Sequence, residues 1–270
     1  MNALLAPIRQ LWRHRHLLVQ TTRNDIRARY AGSLFGLAWT VLFPLLFLGC
    51  YALLYLFIFT VRLKLPDGYT ASPLEFVVLV FCGLIPFIGV ADALGTGVSS
   101  VSSNANLIKN TLFPIELVPV KAVLTGQVTQ VVGMGMLLAA IGVTGRLTLW
   151  ALMLPAVWVL QVAFMIGMIW VLSGLNVYIR DLQNIITVVI LMLMMVSPIA
   201  WTAEMIPARL RPLMGINPLY YVILSYQEIL FHGRFPRGSI FWGLVVLAVG
   251  SFWLGYGFFT RLKRAFADSV

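Results

Sequence analysis

The sequence predicts an all-α membrane protein: six transmembrane helices, an N-terminal amphipathic interface helix, and short re-entrant outer helices between spans five and six. Three observations carry that prediction. The 270 residues are 60% hydrophobic and only 10% charged, with a mean hydropathy of +0.93. A soluble domain carries about a quarter charged residues and could not hide so much apolar side chain. The apolar residues gather into runs of about 20, the length at which a helix crosses a hydrocarbon core of about 30 Å. The charge is lopsided, with 19 Lys+Arg against 9 Asp+Glu and a net charge of +10. Disorder and a disulfide scaffold are excluded by the same figures. The positive balance leaves two partner classes open, nucleic acid or an anionic membrane surface.

Residues 1–36 form the first element. Leu4, Ile8, Leu11, Trp12, Leu18, Val19, Ile26 and Tyr30 recur near helical spacing, and Arg9, Arg13, His14, His16, Arg23 and Arg27 fill the other face. Pro7 suits a helix start. The pattern is that of a basic amphipathic helix on the inner leaflet, either an anchor or a docking surface for a partner. The first long apolar run begins too far along the chain for a secretory leader, so insertion through the spans themselves is expected.

Six runs meet the span length within residues 37–260: 37–60, 76–101, 117–141, 150–175, 185–203 and 239–260. Four carry no charge; the exceptions are Asp92 in the second and Lys121 near the start of the third. The short links 142–149 and 176–184 make their neighbours antiparallel hairpins. The link 204–238 is elaborate. Within it, 219–231 is apolar but too short to cross and contains Glu228, which suits a re-entrant or interfacial helix. Residues 261–270 are a basic tail. Six Arg in residues 1–36, three basic residues in the tail, Lys109 and Arg180 outnumber the seven basic residues of the opposite side. Both termini are therefore expected in the cytoplasm, which agrees with an even number of spans.

Catalytic chemistry is hard to find. No G-x-x-x-x-G-K-[ST] phosphate loop occurs, and His14, His16 and His232 lie outside the spans, leaving Ser173 without a base at membrane depth. Cys50 and Cys82 sit in apolar runs as packed thiols, and no His, Cys and carboxylate cluster has metal-ligand spacing. No enzyme, metal or cofactor site is expected in this chain. Asp92, followed by Gly95, Thr96, Gly97, Ser99, Ser100, Ser102 and Ser103, reads as the hydrated end of a long helix in preference to a proton site.

The first span carries an aromatic row at every fourth position: Trp39, Phe43, Phe47, Tyr51, Tyr55 and Phe59. Four residues advance about 400°, so the row drifts about 40° per step around the helix. It is either packing and interfacial belt or a pore wall on which sugar rings could slide. A second aromatic set, Trp201, Tyr220, Tyr221 and Tyr226, falls on the outer side, where an exit gate would stand. Small residues such as Gly133, Gly135, Gly167 and Gly174 allow close helix approach. Pro44, Pro86, Pro155 and Pro198 kink or break spans.

Five stretches in order resemble one family. They are Asp25-Ile26-Arg27-Ala28-Arg29-Tyr30 running through Gly32, Gly36, Trp39 and Pro44, then Phe113-Pro114-Ile115-Glu116-Leu117-Val118-Pro119, then Leu175-Asn176-Val177-Tyr178-Ile179-Arg180-Asp181 with Ser197-Pro198, then Asn217-Pro218 with Tyr226-Gln227, and the tail from Arg261 to Asp268. The set is similar to type-2 ABC transporter permeases of the polysaccharide and polyol-phosphate export group, which export O-antigen, capsule or teichoic acid. Asn24 departs from the pattern, where Arg is expected beside the Asp.

The resemblance implies a homodimer in the bacterial cytoplasmic (inner) membrane. Two separate ATP-binding cassette subunits would hold ATP and Mg. It implies docking of those subunits on the N-terminal helix and first cytoplasmic loop, here with Asn104, Lys109, Asn110 and Glu116. It implies gate helices in the outer segment 204–231 and a pore lined by the first and fifth spans. The phosphate of a lipid-linked polysaccharide would meet Arg27, Arg29 or Arg180 at the cytoplasmic mouth. With lipid and a protein partner accounting for the charge, no nucleic acid is expected. The rival reading is a secondary transporter or membrane-embedded transferase acting without an ATPase.

Overall fold

A computed structural model describes residues 6–58, 63–64, 70–104, 114–143, 145, 147–199, 209 and 214–266. Helix dominates. The exception among the described residues is a two-residue antiparallel pairing, β1 (Leu63–Lys64) with β2 (Thr70–Ala71).

The amphipathic segment is two helices where one was expected, α1 (Ala6–Arg13) and α2 (Arg15–Arg29), parted at His14. Its faces divide only in part: Pro7 and Leu18 are buried and Arg9, Arg13, Arg23 and Arg27 are exposed, but Ile8, Trp12 and Val19 of the expected apolar face are exposed as well. The chain then turns through Gly32 and Gly36, whose φ angles of +79° and +50° suit only glycine without strain. A 3-10 turn (Gly36–Ala38) leads into α3 (Trp39–Leu53), which ends in a π-turn (Leu54–Ile58).

Helix α4 (Pro73–Gly97) starts on a capping box: the Ser72 hydroxyl accepts from the Glu75 amide, and the Glu75 carboxylate accepts from the Ser72 amide at 2.7 Å. The short α5 (Ser100–Ser103) follows, then α6 (Leu117–Val143), a 3-10 turn (Leu149–Met153) continuing into α7 (Leu154–Tyr178), and α8 (Leu182–Val196). Asn217 caps α9 (Pro218–Leu230) through the Leu219 amide, and α10 (Gly238–Phe266) closes the described chain.

Among the described residues, five segments are long and apolar enough to cross a membrane: Gly36–Ile58, Pro73–Gly97, Leu117–Val143, Leu149–Tyr178 and Gly238–Lys263. The run expected as the fifth of six spans gives α8, whose 15 residues reach about 22 Å and fall short of a crossing. Its helix ends at Ser197-Pro198, because the residue before proline is driven out of the helical region. Helix α9 also differs from expectation. It packs inside the bundle against α4 and α10 and is buried over most of its length.

Close helix crossings explain several glycines. A Cβ on Gly167 of α7 would sit 2.2 Å from the Ser251 backbone of α10, and one on Gly255 would sit 2.1 Å from the Gly167 carbonyl oxygen. Gly126 of α6 meets the Ala93 backbone of α4 in the same way, at 2.7 Å. Side-chain packing around Phe76, Leu84, Ile85, Met165, Trp170 and Ile223 fills the rest of the core.

The amides and the phenol in the middle of this apolar core are paired, as the cost of burying them demands, whereas the hydroxyls of Ser100 and Ser173 are buried without a hydrogen bond. Gln130, Gln161 and Tyr226 form a closed cluster: each glutamine amide donates to the other's carbonyl at 2.9 and 2.8 Å, and the Tyr226 hydroxyl donates to Gln161 at 2.7 Å. Gln127 donates to the Gly89 carbonyl and accepts from the Trp158 indole. These bonds join α4, α6, α7 and α9 across the middle of the bundle.

Candidate functional site: an aromatic cavity tied to the interface helix

The drift of the aromatic row decides what each ring faces. Phe43 and Phe47 stack with centroids 5.9 Å apart, Phe47 and Tyr51 are 5.0 Å apart, and Tyr51 and Tyr55 are 6.3 Å apart. Trp39, Phe43 and Phe47 line a partly open cavity of about 470 Å³. Further along, the row has rotated toward α4: Tyr51 and Tyr55 pack on the core, and Tyr55 meets Phe76 edge to face at 5.2 Å. One sequence pattern thus serves as cavity wall at one end and packing at the other. Phe59 lies outside the described residues.

The rest of the cavity comes from α4 (Leu84, Phe87, Ile88, Ala91, Asp92), α6 (Thr129), α8 (Ile190, Met194) and the end of the interface segment (Arg29, Tyr30). It is apolar except where Arg29 and Asp92 meet. Arg29 forms a two-pronged ion pair with Asp92, at 2.6 and 2.9 Å. The paired carboxylate raises the Arg29 pKa further, so the guanidinium stays charged. Thr129 also reaches Asp92, at 3.4 Å. Asp92 is therefore neither an isolated proton site nor merely a hydrated helix end. It is a fixed partner for the interface helix.

A second ion pair lies one turn back on α2. Asp25 accepts from Lys121 of α6 at 2.9 Å, and the lysine is buried. Residues 25 and 29 share a helix face, so α2 is held to α6 by its acid and to α4 by its base. Sequence reasoning passed over these pairs although the signal was present. Lone charges in apolar spans need partners, and an acid and a base four apart on a neighbouring helix offer them.

Other predicted residues are spread out. Arg27 and Arg180 are exposed, away from the cavity lining. Asn104 donates to the Ser100 carbonyl at 2.8 Å. Glu116 is buried: its carboxylate pairs with Lys263 of α10 and its carbonyl accepts from the Trp170 indole at 2.9 Å. Tyr220 and Tyr221 stack edge to face at 5.5 Å, and the Tyr221 hydroxyl donates to the Gly215 carbonyl. Tyr226 sits in the core cluster described above, not beside them. Glu228, close to α9's end, is held by Arg234 and by Arg237. Trp201, Lys109 and Asn110 lie outside the described residues.

Long apolar helices, a basic amphipathic segment along one end, and a cavity between them define a multi-pass membrane protein. Its sequence matches the family model described as ABC-2 type transporter over residues 16–231, and the chain belongs to that family. Among its relatives is the O-antigen export system permease protein RfbA of Myxococcus xanthus, 28% identical over 97% of this chain and 98% of the relative. Two proteins of the same name from Klebsiella pneumoniae are 29% and 30% identical, each over 93% of this chain and 94% of the relative.

Proposed function

We propose that this chain is the membrane-spanning permease subunit of an ABC exporter that moves a lipid-linked polysaccharide of O-antigen type across the bacterial cytoplasmic membrane. Separate ATP-binding subunits supply the power. The observation that carries the reading is the sharing of one cavity by Arg29 of the interface segment, the rings of Trp39, Phe43 and Phe47, and the α8 residues Ile190 and Met194. Aromatic faces offer sugars a continuous, weakly binding surface. The arginine can meet a phosphate. The relatives' names point to the same class of cargo.

Two copies assemble into the working transporter in this reading, with α3 and α8 facing each other. The exposed apolar side chains Leu45, Leu46, Leu191 and Met192 on these helices are available for that contact. In this reading α8, too short to cross as a helix by itself, inserts as the sixth membrane segment together with the chain that follows it, both termini lie in the cytoplasm, and the ATP-binding subunits dock on residues near Asn104, Lys109, Asn110 and Glu116. Tyr220, Tyr221 and Trp201 flank the outer exit, and the segment 204–231 supplies its gate.

The test is export in intact cells. Deleting the gene removes the surface polysaccharide, and the wild-type gene restores it. Phe43→Ala with Phe47→Ala, at unchanged protein level, cuts surface polysaccharide to a small fraction of wild type. Full export by that double variant would end the pore-wall assignment.

A further inference from the structure

A polar cleft of about 290 Å³ adjoins the aromatic cavity, lined by Asp25, Arg29, Ser100, Asn104, Lys121 and Thr125 among others. Arg29 belongs to both spaces. Three features of the cleft point to an anionic ligand. Lys121 is 7% exposed, yet its partner Asp25 is 41% exposed and half in water. A buried ammonium held by a half-solvated carboxylate is open to exchange for a better-placed anion. The Ser100 hydroxyl is buried and makes no hydrogen bond. An idle donor of this kind in a charged cleft calls for an acceptor. Arg29 presents a two-pronged fork to Asp92, the geometry that also fits phosphate oxygens.

We propose that Lys121 and Arg29 form a phosphate-binding site that Asp25 and Asp92 occupy in the empty chain, and that an arriving phosphate group displaces these carboxylates. The inference rests on the export reading and deepens it, by seating the phosphate of the lipid carrier. A diphosphate that links lipid to sugar carries two negative charges, matching the two carboxylates it displaces, so the cleft stays balanced. Ser100 donates to the phosphate, and the attached chain runs past Arg29 along Trp39 and Phe43. Displacement has a mechanical result. Asp25 and Arg29 supply α2's ion pairs to α6 and α4, so the ligand loosens the interface helix as it binds. The signal reaches the cytoplasmic face without a long pathway.

The experiment uses the full chain in phosphatidylcholine nanodiscs, titrated in separate arms with a polyprenyl phosphate and with inorganic pyrophosphate. Lys121→Met keeps the buried volume and removes the charge. It lowers affinity for polyprenyl phosphate about tenfold, the scale of one charge-assisted contact. Asp25→Asn removes the competing carboxylate and tightens binding about fivefold. Asp181→Asn, beside exposed Arg180, changes nothing. All variants elute as monodisperse protein.

Opposite signs for Lys121→Met and Asp25→Asn support the site. Equal weakening by both means a purely structural clamp and overturns it. So does tightening by Asp181→Asn alone, which moves the phosphate to Arg180. Binding of pyrophosphate with the same two responses, and none of polyprenyl phosphate, keeps the anion site but overturns its lipid ligand. Polyprenyl phosphate binding that neither variant alters overturns the inference and leaves the export reading standing. That reading fails separately if gene deletion spares the surface polysaccharide.

Discussion

The first and second apolar helices are equally apolar in sequence but opposite in surroundings. Of the first, Gly36–Ile58, 11% of the most apolar window is buried within the chain; of the second, Pro73–Gly97, 72%. Helix α4 is the pillar of the bundle, gripped by α6, α7 and α9. Helix α3 leans chiefly on α6 and more lightly on α4, and turns Phe43, Leu45 and Leu46 outward. Apolarity alone does not separate a core helix from a wall helix, because lipid rewards both. What separates them is small residues at close contacts: Gly83, Gly89 and Gly97 of α4 lie against neighbouring helices, whereas Gly49 of α3 meets nothing within 4 Å. The core helices carry glycines at backbone crossings and glutamines that need each other, whereas α3 carries large rings.

That contrast can be broken by substitution. The largest effect belongs at Gly167. A leucine there has nowhere to go against the Ser251 backbone, and we expect no folded, monodisperse protein on size exclusion; alanine costs about 1–3 kcal/mol by thermal unfolding. Next is Gln161→Leu, which takes the acceptor from the Tyr226 hydroxyl and the donor from the Gln130 carbonyl, leaving the Gln130 amide only the Tyr226 oxygen. It costs about 2 kcal/mol, and adding Gln130→Leu with Tyr226→Phe recovers much of the loss. If the triple variant is as unstable as the single, the core cluster is not the closed unit described.

At the seam between core and wall, Arg29→Gln leaves Asp92, 16% exposed, without its charge partner. The pair is partly solvated, so the loss is about 1 kcal/mol. The sharper readout is faster hydrogen exchange along α2, which Arg29→Lys only partly repairs. The smallest effect on stability is expected on the wall itself. Phe43→Ala, at a ring 51% exposed, shifts stability by less than about 1 kcal/mol while lowering surface polysaccharide. A destabilisation as large as that at Gln161 would make α3 a core helix and end the comparison.

Much of this arrangement was legible in the sequence. The apolar runs place the long helices within a few residues, and the amphipathic pattern of residues 6–29 finds the exposed arginines but only part of the buried face, since Ile8, Trp12 and Val19 are exposed. The capping box at Ser72 and Glu75 marks the start of α4, a signal in plain view that apolar counting skips. Other features depend on partners far along the chain. Tyr226 resembles an outer aromatic until Gln130 and Gln161, 96 and 65 residues earlier, are seen to hold it. Asp92 reads as a solvated helix end until Arg29 is found against it. The length of α8 turned on Pro198, whose effect on the preceding residue is local and could have been read. The division of the aromatic row between cavity and core followed from its 40° drift, but only once the position of α4 was known.

The cluster of Gln130, Gln161 and Tyr226 also constrains the order in which the protein can be made. Synthesis delivers the two glutamines to the bilayer first, and they can satisfy one another. The phenol and the rest of α9 come tens of residues later, and until then the flank of α4 around Gly83 lacks the Ile223 and Gln227 side chains that cover it. A nascent chain stalled before residue 218 therefore displays an amide pair and an uncovered groove to lipid.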